Sequence, residues 1–135
     1  MSTPLFDFTK NRPQVTAIRK RTLKMLLEAS KSSYPNEFGG ILREEKGVIT
    51  ELILLPGTIA GERSALFKLH MLPVDSSVVG TVHSHPSGSC RPSDADLDLF
   101  RSFGYCHIIV CEPYDMKSWA CYDGFGERRP LEVIK

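Results

Sequence analysis

Two histidines and an aspartate in the segment Gly80 to Asp98, GTVHSHPSGSCRPSDADLD, are spaced to hold a metal ion. His83 and His85 lie two apart at the end of a predicted strand, and side chains two apart on a strand point to the same face, so both imidazoles can reach one ion. Asp96 falls in the first turn of the helix predicted to follow, where its carboxylate can fold back over the strand end as a third ligand. Two nitrogens and one oxygen leave a tetrahedral zinc ion with an open fourth position, the pattern of catalytic rather than structural zinc. A water there has its pKa lowered to about 7, and a nearby base must manage its proton. Glu37 is the candidate base. It follows the helix-breaking Pro35 and precedes Gly39 and Gly40, which let the backbone pass close to a site. Ser93 is placed to orient a developing oxyanion through its hydroxyl.

Each of these residues has a simpler account when taken alone. H-x-H pairs occur by chance, Ser93 with Asp96 matches the spacing of a helix capping box, and Glu37 reads as an exposed carboxylate after a helix. The joint pattern is what argues for a site.

The elements that must position these groups are legible from periodicity. Leu23, Leu26, Leu27 and Ser30 share one helical face, with Arg19, Arg21 and Lys24 elsewhere on the cylinder, which predicts a helix from about Lys20 to Lys31. It stops at Ser-Ser-Tyr-Pro because the residue before Pro35 is pushed out of the helical region. Val15 to Ile18 reads as a short strand leading in. Phe38 to Leu42, Val48 to Leu55, Ala65 to Leu69 and Val78 to His83 are apolar runs broken by turn residues and read as strands. Asp96, Leu99, Phe100 and Phe103 at helical spacing predict a second helix over Ser93 to Phe103, capped by Ser93 and Gly104. Cys106 to Cys111, Ser118 to Tyr122 and Leu131 to Ile134 complete the set of strands. With no internal repeat and no linker, this is a single α/β domain with a mixed sheet, running from residue 14 to 135 behind an N-terminal extension over residues 1 to 13.

The 135 residues suffice for one domain and not for two ordinary ones. A hydrophobic share of 41% and a charged share of 24% are those of a chain that buries a core. Seventeen basic against sixteen acidic residues give a net charge of +1, which offers no bulk field for nucleic acid or an anionic membrane. There is no apolar run of the roughly 18 residues a membrane helix needs and no apolar signal-peptide core, so the expected location is the cytoplasm. Cys90, Cys106, Cys111 and Cys121 form no C-x-x-C pair, which argues against a closed zinc knuckle.

The site residues together resemble the JAMM (MPN+) metalloprotease family. Its signature is an upstream Glu followed by H-x-H, seven residues, Ser, two residues and Asp, met here by Glu37, His83-Ser84-His85, the spacer Pro86 to Pro92, Ser93 and Asp96. The likeness extends to the Pro-x-Glu-x-x-Gly entry at Pro35 to Gly40 and the Ile108-Ile109-Val110 strand, covers about Gln14 onward, and is greatest to the small stand-alone archaeal branch. The resemblance implies a cytidine-deaminase-like fold and hydrolysis of peptide or isopeptide bonds at the C-terminus of ubiquitin or a ubiquitin-like modifier. By the same resemblance His83, His85 and Asp96 bind one zinc ion that carries a catalytic water, Glu37 is general base and acid, and Ser93 supports the oxyanion. The short chain leaves little room for the insertions that confer linkage choice, so the simplest substrate is a small sulfur-carrier-type modifier with a Gly-Gly tail, added as a strand to an edge over Thr58 to Leu69. The rival readings are a non-catalytic scaffold of the same fold, a RadC-like protein, and an enzyme that processes a sulfur-carrier tail.

The remaining residues leave alternatives open. Cys90, within the spacer, is a fourth ligand, a redox switch or a plain thiol, and a disulfide to Cys111 is a better reading than ligation; it would contribute roughly 2 to 4 kcal/mol. His70 and His107 read as structural, Trp119, Tyr122 and Phe125 as core or rim aromatics, and Arg19, Lys20, Arg21 and Lys24 as a solvated helix face.

Overall fold

The computed structural model describes residues 14–54 and 76–135, and among these it has seven strands and two helices. The strands are β1 (Ala17–Arg19), β2 (Gly39–Glu45), β3 (Val48–Leu54), β4 (Val78–His85), β5 (His107–Cys111), β6 (Trp119–Tyr122) and β7 (Glu132–Ile134). The helices are α1 (Lys20–Ser33) and α2 (Asp94–Ser102). The expected strand Ala65 to Leu69, the edge over Thr58 to Leu69, His70 and the extension over residues 1 to 13 lie outside the described residues.

Among the described residues the strands form one mixed sheet in the order β6-β5-β4-β2-β3-β1-β7. β4 runs parallel to β5 and antiparallel to β2, which places the histidine-bearing strand inside the sheet with a neighbour on each side. Both faces of the sheet are covered. On β5, Ile108 and Val110 join one buried cluster and Ile109 the other, as alternation along a strand requires. α1 closes the first face with Leu23, Leu26 and Leu27, and α2 closes the second with Leu99 and Phe100. Both helical stripes follow the periodicity of the sequence.

β4 reaches two residues beyond the expected end at His83, so both histidines lie on the strand. A bulge sets their direction. In the β2–β4 ladder Leu42 pairs with Gly80 and Arg43 with Val78, leaving Val79 as an extra residue. In an unbroken strand Val78 and Val82 would share a face; here Val78 joins the α2 cluster and Val82 the α1 cluster. Beyond the bulge Thr81, His83 and His85 therefore face α2. The connection from α2 to β5 crosses this point closely: a Cβ on Gly80 would overlap the Cys106 carbonyl, and Gly104, at φ +80°, closes on the Val79 carbonyl. Only glycine permits both approaches.

Candidate metal centre

The strand and the helix bring the three expected ligands to one point. His83, His85 and Asp96 each offer a ligand atom, and these atoms all lie within 4.8 Å of one another. His83 Nε2 is 2.9 Å from Asp96 Oδ1, His85 Nε2 is 3.1 Å from Asp96 Oδ2, and the two Nε2 atoms are 3.2 Å apart. Asp96 is 1% exposed, while the imidazoles are 13% and 14% exposed, so the ligands are sunk into the fold with one side open.

Asp96 is fixed from its own helix. Ser93 is the N-cap of α2, accepting from Asp96 N at 3.1 Å, and Ser93 N donates back to Asp96 Oδ2 at 2.8 Å. This is a full capping box, with the carboxylate held by two imidazoles as well. The capping account and the ligand account of Ser93 and Asp96 are therefore one structure. Burial pushes the Asp96 carboxyl up, but the hydrogen bonds from His83 and His85 outweigh it and hold the group ionised far below the usual carboxylate range. The hydrogen bond to Asp96 raises His85 above its ordinary value against the opposing effect of burial.

One of the two histidines, His85, is oriented by backbone. His85 Nδ1 lies 3.0 Å from the Ser89 carbonyl, to which only a protonated Nδ1 can donate; in the neutral ring that a metal needs this leaves Nε2 as the lone pair, whereas in the metal-free protein the protonated ring donates from Nε2 to Asp96 as well. Tyr114, inside the α1-face core, donates its hydroxyl to the His85 carbonyl at 3.0 Å. Ser84, between the two ligands, points the other way and accepts from Phe38 N at 2.8 Å, while Ser84 N donates to the Phe38 carbonyl. Sequence reasoning missed Ser89, Tyr114 and Ser84. Only Ser84 carried a signal, as the residue opposite in phase to both ligands.

Pairing of Phe38 with Ser84 continues the register in which Gly39 faces His83, and it sets Glu37 across from His85. Glu37 is half-buried at the strand entry and acts electrostatically on both His85 and Tyr114. Ser93 is exposed at the helix start. The structure thus gathers all five expected residues at the C-terminal end of β4. Two imidazole nitrogens and one ionised carboxylate converge here, His85 held by the Ser89 carbonyl and Asp96 by Ser93 N, while His83 Nδ1 has no hydrogen-bond partner among the described residues; the set fits a zinc ion that keeps an open coordination position.

The remaining expectations divide. Cys90 and Cys111 are joined as a disulfide with Cα atoms 5.3 Å apart, tying the spacer loop to β5, where Cys111 pairs with His85. Cys90 is therefore not a ligand, and Cys106 and Cys121 are buried thiols. His107 is structural: it is fully buried, stacks on Phe100 at 4.3 Å and meets the Thr81 hydroxyl at 2.7 Å, and burial pushes it down to about 3. Arg19, Lys20, Arg21 and Lys24 are exposed on and beside the first turn of α1. Tyr122 is buried and Trp119 half-buried, but Phe125 is 83% exposed and packs in no core. The reason is local, since Phe125 sits at the tip of a glycine-flanked turn. No helix among the described residues is long and apolar enough to cross a membrane.

The comparisons with known proteins agree with this geometry. The family of prokaryotic homologues of the JAB domain matches residues 19–122. A probable metalloprotease of Haloferax volcanii is 40% identical over 131 residues, spanning 90% of this chain and 81% of that protein. A JAB1/MPN domain protein from Archaeoglobus fulgidus is 48% identical with a TM-score of 0.74, over 89% of this chain and all (100%) of that one. A structure described as JAMM, a metalloprotease-like zinc site in the proteasome and signalosome, is 46% identical with a TM-score of 0.72, over 90% and 100% of the two chains. A protein from Desulfitobacterium hafniense, 18% identical at a TM-score of 0.59 over 89% and 93%, shares the fold. Matched through most of its length by that family and by solved chains of nearly half identical sequence, this chain belongs to the prokaryotic homologues of the JAB domain and carries a JAMM-type, metalloprotease-like zinc site.

Proposed function

We propose that the chain, through the unit spanning residues 14 to 135, hydrolyses peptide or isopeptide bonds at the C-terminal Gly-Gly tail of small ubiquitin-like or sulfur-carrier-type modifiers in the cytoplasm. The observation that carries this reading is the convergence of His83, His85 and Asp96 on one point with Glu37 set across from His85. The Haloferax volcanii relative, a probable metalloprotease, supports hydrolysis. The occurrence of a JAMM site in the proteasome and signalosome supports a protein modifier as the substrate.

When bound, zinc supplies Lewis acidity and an acidified water near neutral pH. His83, His85 and Asp96 would hold it, with His85 fixed in the right tautomer by Ser89. Glu37 takes the water proton and delivers it to the leaving amine, so one carboxylate serves as base and then as acid. The Ser93 hydroxyl, already accepting from Asp96 N, donates to the developing oxyanion. No side chain has to form a covalent intermediate.

The test has two stages. Purified wild type should contain one zinc per chain and His85→Ala none. Wild type should then release lysine from a Gly-Gly-tailed modifier joined through an isopeptide bond. Absence of zinc in wild type, even after zinc is supplied, would leave a non-catalytic scaffold of the same fold.

A further inference from the structure

Phe125 stands outside everything assigned above. It lies in the β6-to-β7 connection, where Asp123 Oδ1 accepts from Phe125 N at 2.8 Å and from Glu127 N at 3.0 Å, and Asp123 N donates to the Glu127 carbonyl at 2.9 Å. The turn is seated on α2. A Cβ on Gly126, at φ +82°, would collide with the Leu97 side chain, and one on Gly124 would come within 3.2 Å of the Gly104 carbonyl. Leu97 is the residue after the ligand Asp96. An aromatic ring that is 83% exposed is therefore held on a fixed turn, against the helix that supplies a metal ligand.

Two guanidiniums accompany it. Arg128 lies over the Tyr122 ring at 5.9 Å from its centroid, and the Tyr122 hydroxyl donates at 2.7 Å to the carbonyl of Cys90, next to Arg91. Both arginines are exposed, both act on the same phenol, and among the described residues neither has a carboxylate partner. The chain thus presents a rigid apolar knob beside unpaired positive charge, which fits a socket rimmed by carboxylates. A second copy is a poor occupant, because a two-fold contact through this patch would set arginine against arginine.

We propose that Phe125, Arg91 and Arg128 dock the folded body of the protein whose tail is cut at the metal site. This rests on the hydrolase reading above. The tail must lie extended at the metal site, so the body it belongs to stays within reach of the neighbouring helix. A turn that is already ordered loses little freedom when it is covered.

The experiment compares two substrates with the zinc-loaded full chain: an acidic, folded Gly-Gly-tailed sulfur-carrier protein bearing a fluorogenic amide at its C-terminus, and its free tail peptide bearing the same amide. Phe125→Ala should lower kcat/KM on the folded substrate by about tenfold or more, through KM, and leave the peptide within about twofold. Arg91→Glu with Arg128→Glu should produce a similar split and abolish the salt dependence of the folded reaction. Phe125→Leu should recover part of the loss. Equal effects of Phe125→Ala on both substrates, or none on either, would overturn the docking face while leaving the hydrolase reading intact. Failure of wild type to cut either substrate would overturn both.

Discussion

Among the described residues the two faces of the sheet are covered by one helix each, yet they are built differently. On the α1 face the buried residues form a broad apolar cluster that includes Val15, Ile18, Leu23, Leu26, Leu42, Ile49, Val82 and Ile108. The buried hydroxyls on α1 are spent on backbone, Ser30 on the Leu26 carbonyl and Thr22 on the Thr50 carbonyl. On the α2 face the apolar cluster is smaller, and Thr81, His107 and Asp96 are buried beside it. Burying such groups is costly unless every one finds a partner. Here Thr81 meets His107 Nδ1, and Asp96 meets two histidines and a helix N-terminus, while His107 Nε2 and His83 Nδ1 have no hydrogen-bond partner among the described residues. The first face serves stability, while the second spends buried polar groups to hold a site.

The contrast is open to direct tests. The largest effect belongs to the site: Glu37→Gln should keep zinc and lower kcat by about a thousandfold, since general acid-base groups contribute in that range. Zinc analysis beside an isopeptide assay checks it, and wild-type turnover would sink the role of Glu37. On the opposite face Leu26→Ala should cost about 3 kcal/mol in urea unfolding, yet leave the zinc affinity of the folded protein within about twofold. If zinc affinity fell in parallel with stability, the division between faces would be wrong. Asp96→Asn keeps the shape but removes the charge, and should weaken zinc by about a hundredfold, as read by competition with a chelating dye. Thr81→Val removes one partner of the buried His107 and should cost about 1 kcal/mol, with Thr81→Ser restoring most of it.

The smallest effect is the pH dependence. In zinc-free protein, His85 is raised in the folded state, so its contribution to stability is complete below pH 6.5 and fades as pH rises through the raised value. Asp96 is held far below its ordinary value, so its contribution is present above about pH 4 and is lost only in strong acid. Zinc requires the neutral imidazole, so its stabilising effect should grow over the same rise in pH that weakens the zinc-free protein. Thermal melts with and without chelator across that window should diverge toward alkaline pH; parallel curves would contradict the His85–Asp96 coupling.

Much of this was legible in the sequence because its physical causes are local. The leucine stripe of α1 and the Leu99–Phe100 stripe of α2 are periodicities, and the capping box at Ser93 and Asp96 is a spacing of three residues. The parity of His83 and His85 follows from the pleat alone. The spacing did not reveal that the Val79 bulge turns Val78 and Val82 to opposite faces, or that β4 continues through His85. Phe125 misled because hydrophobicity argues for burial, whereas its exposure is imposed by the two glycines and the Asp123 turn around it.

By itself, then, the sequence determined which atoms were available: two imidazoles on one side of a strand, a carboxylate in a first helical turn, and a second carboxylate before a pair of glycines. Those are properties of residue type and short-range geometry. The tertiary structure alone decided which of them meet. Antiparallel pairing of β2 with β4 sets Glu37 across from His85, the crossing at Gly80 and Gly104 sets the helix over the strand, and the Ser89 carbonyl fixes the His85 tautomer. The physical reason is that register, bulges and close backbone crossings arise from contacts between segments distant in the chain, which no local pattern encodes.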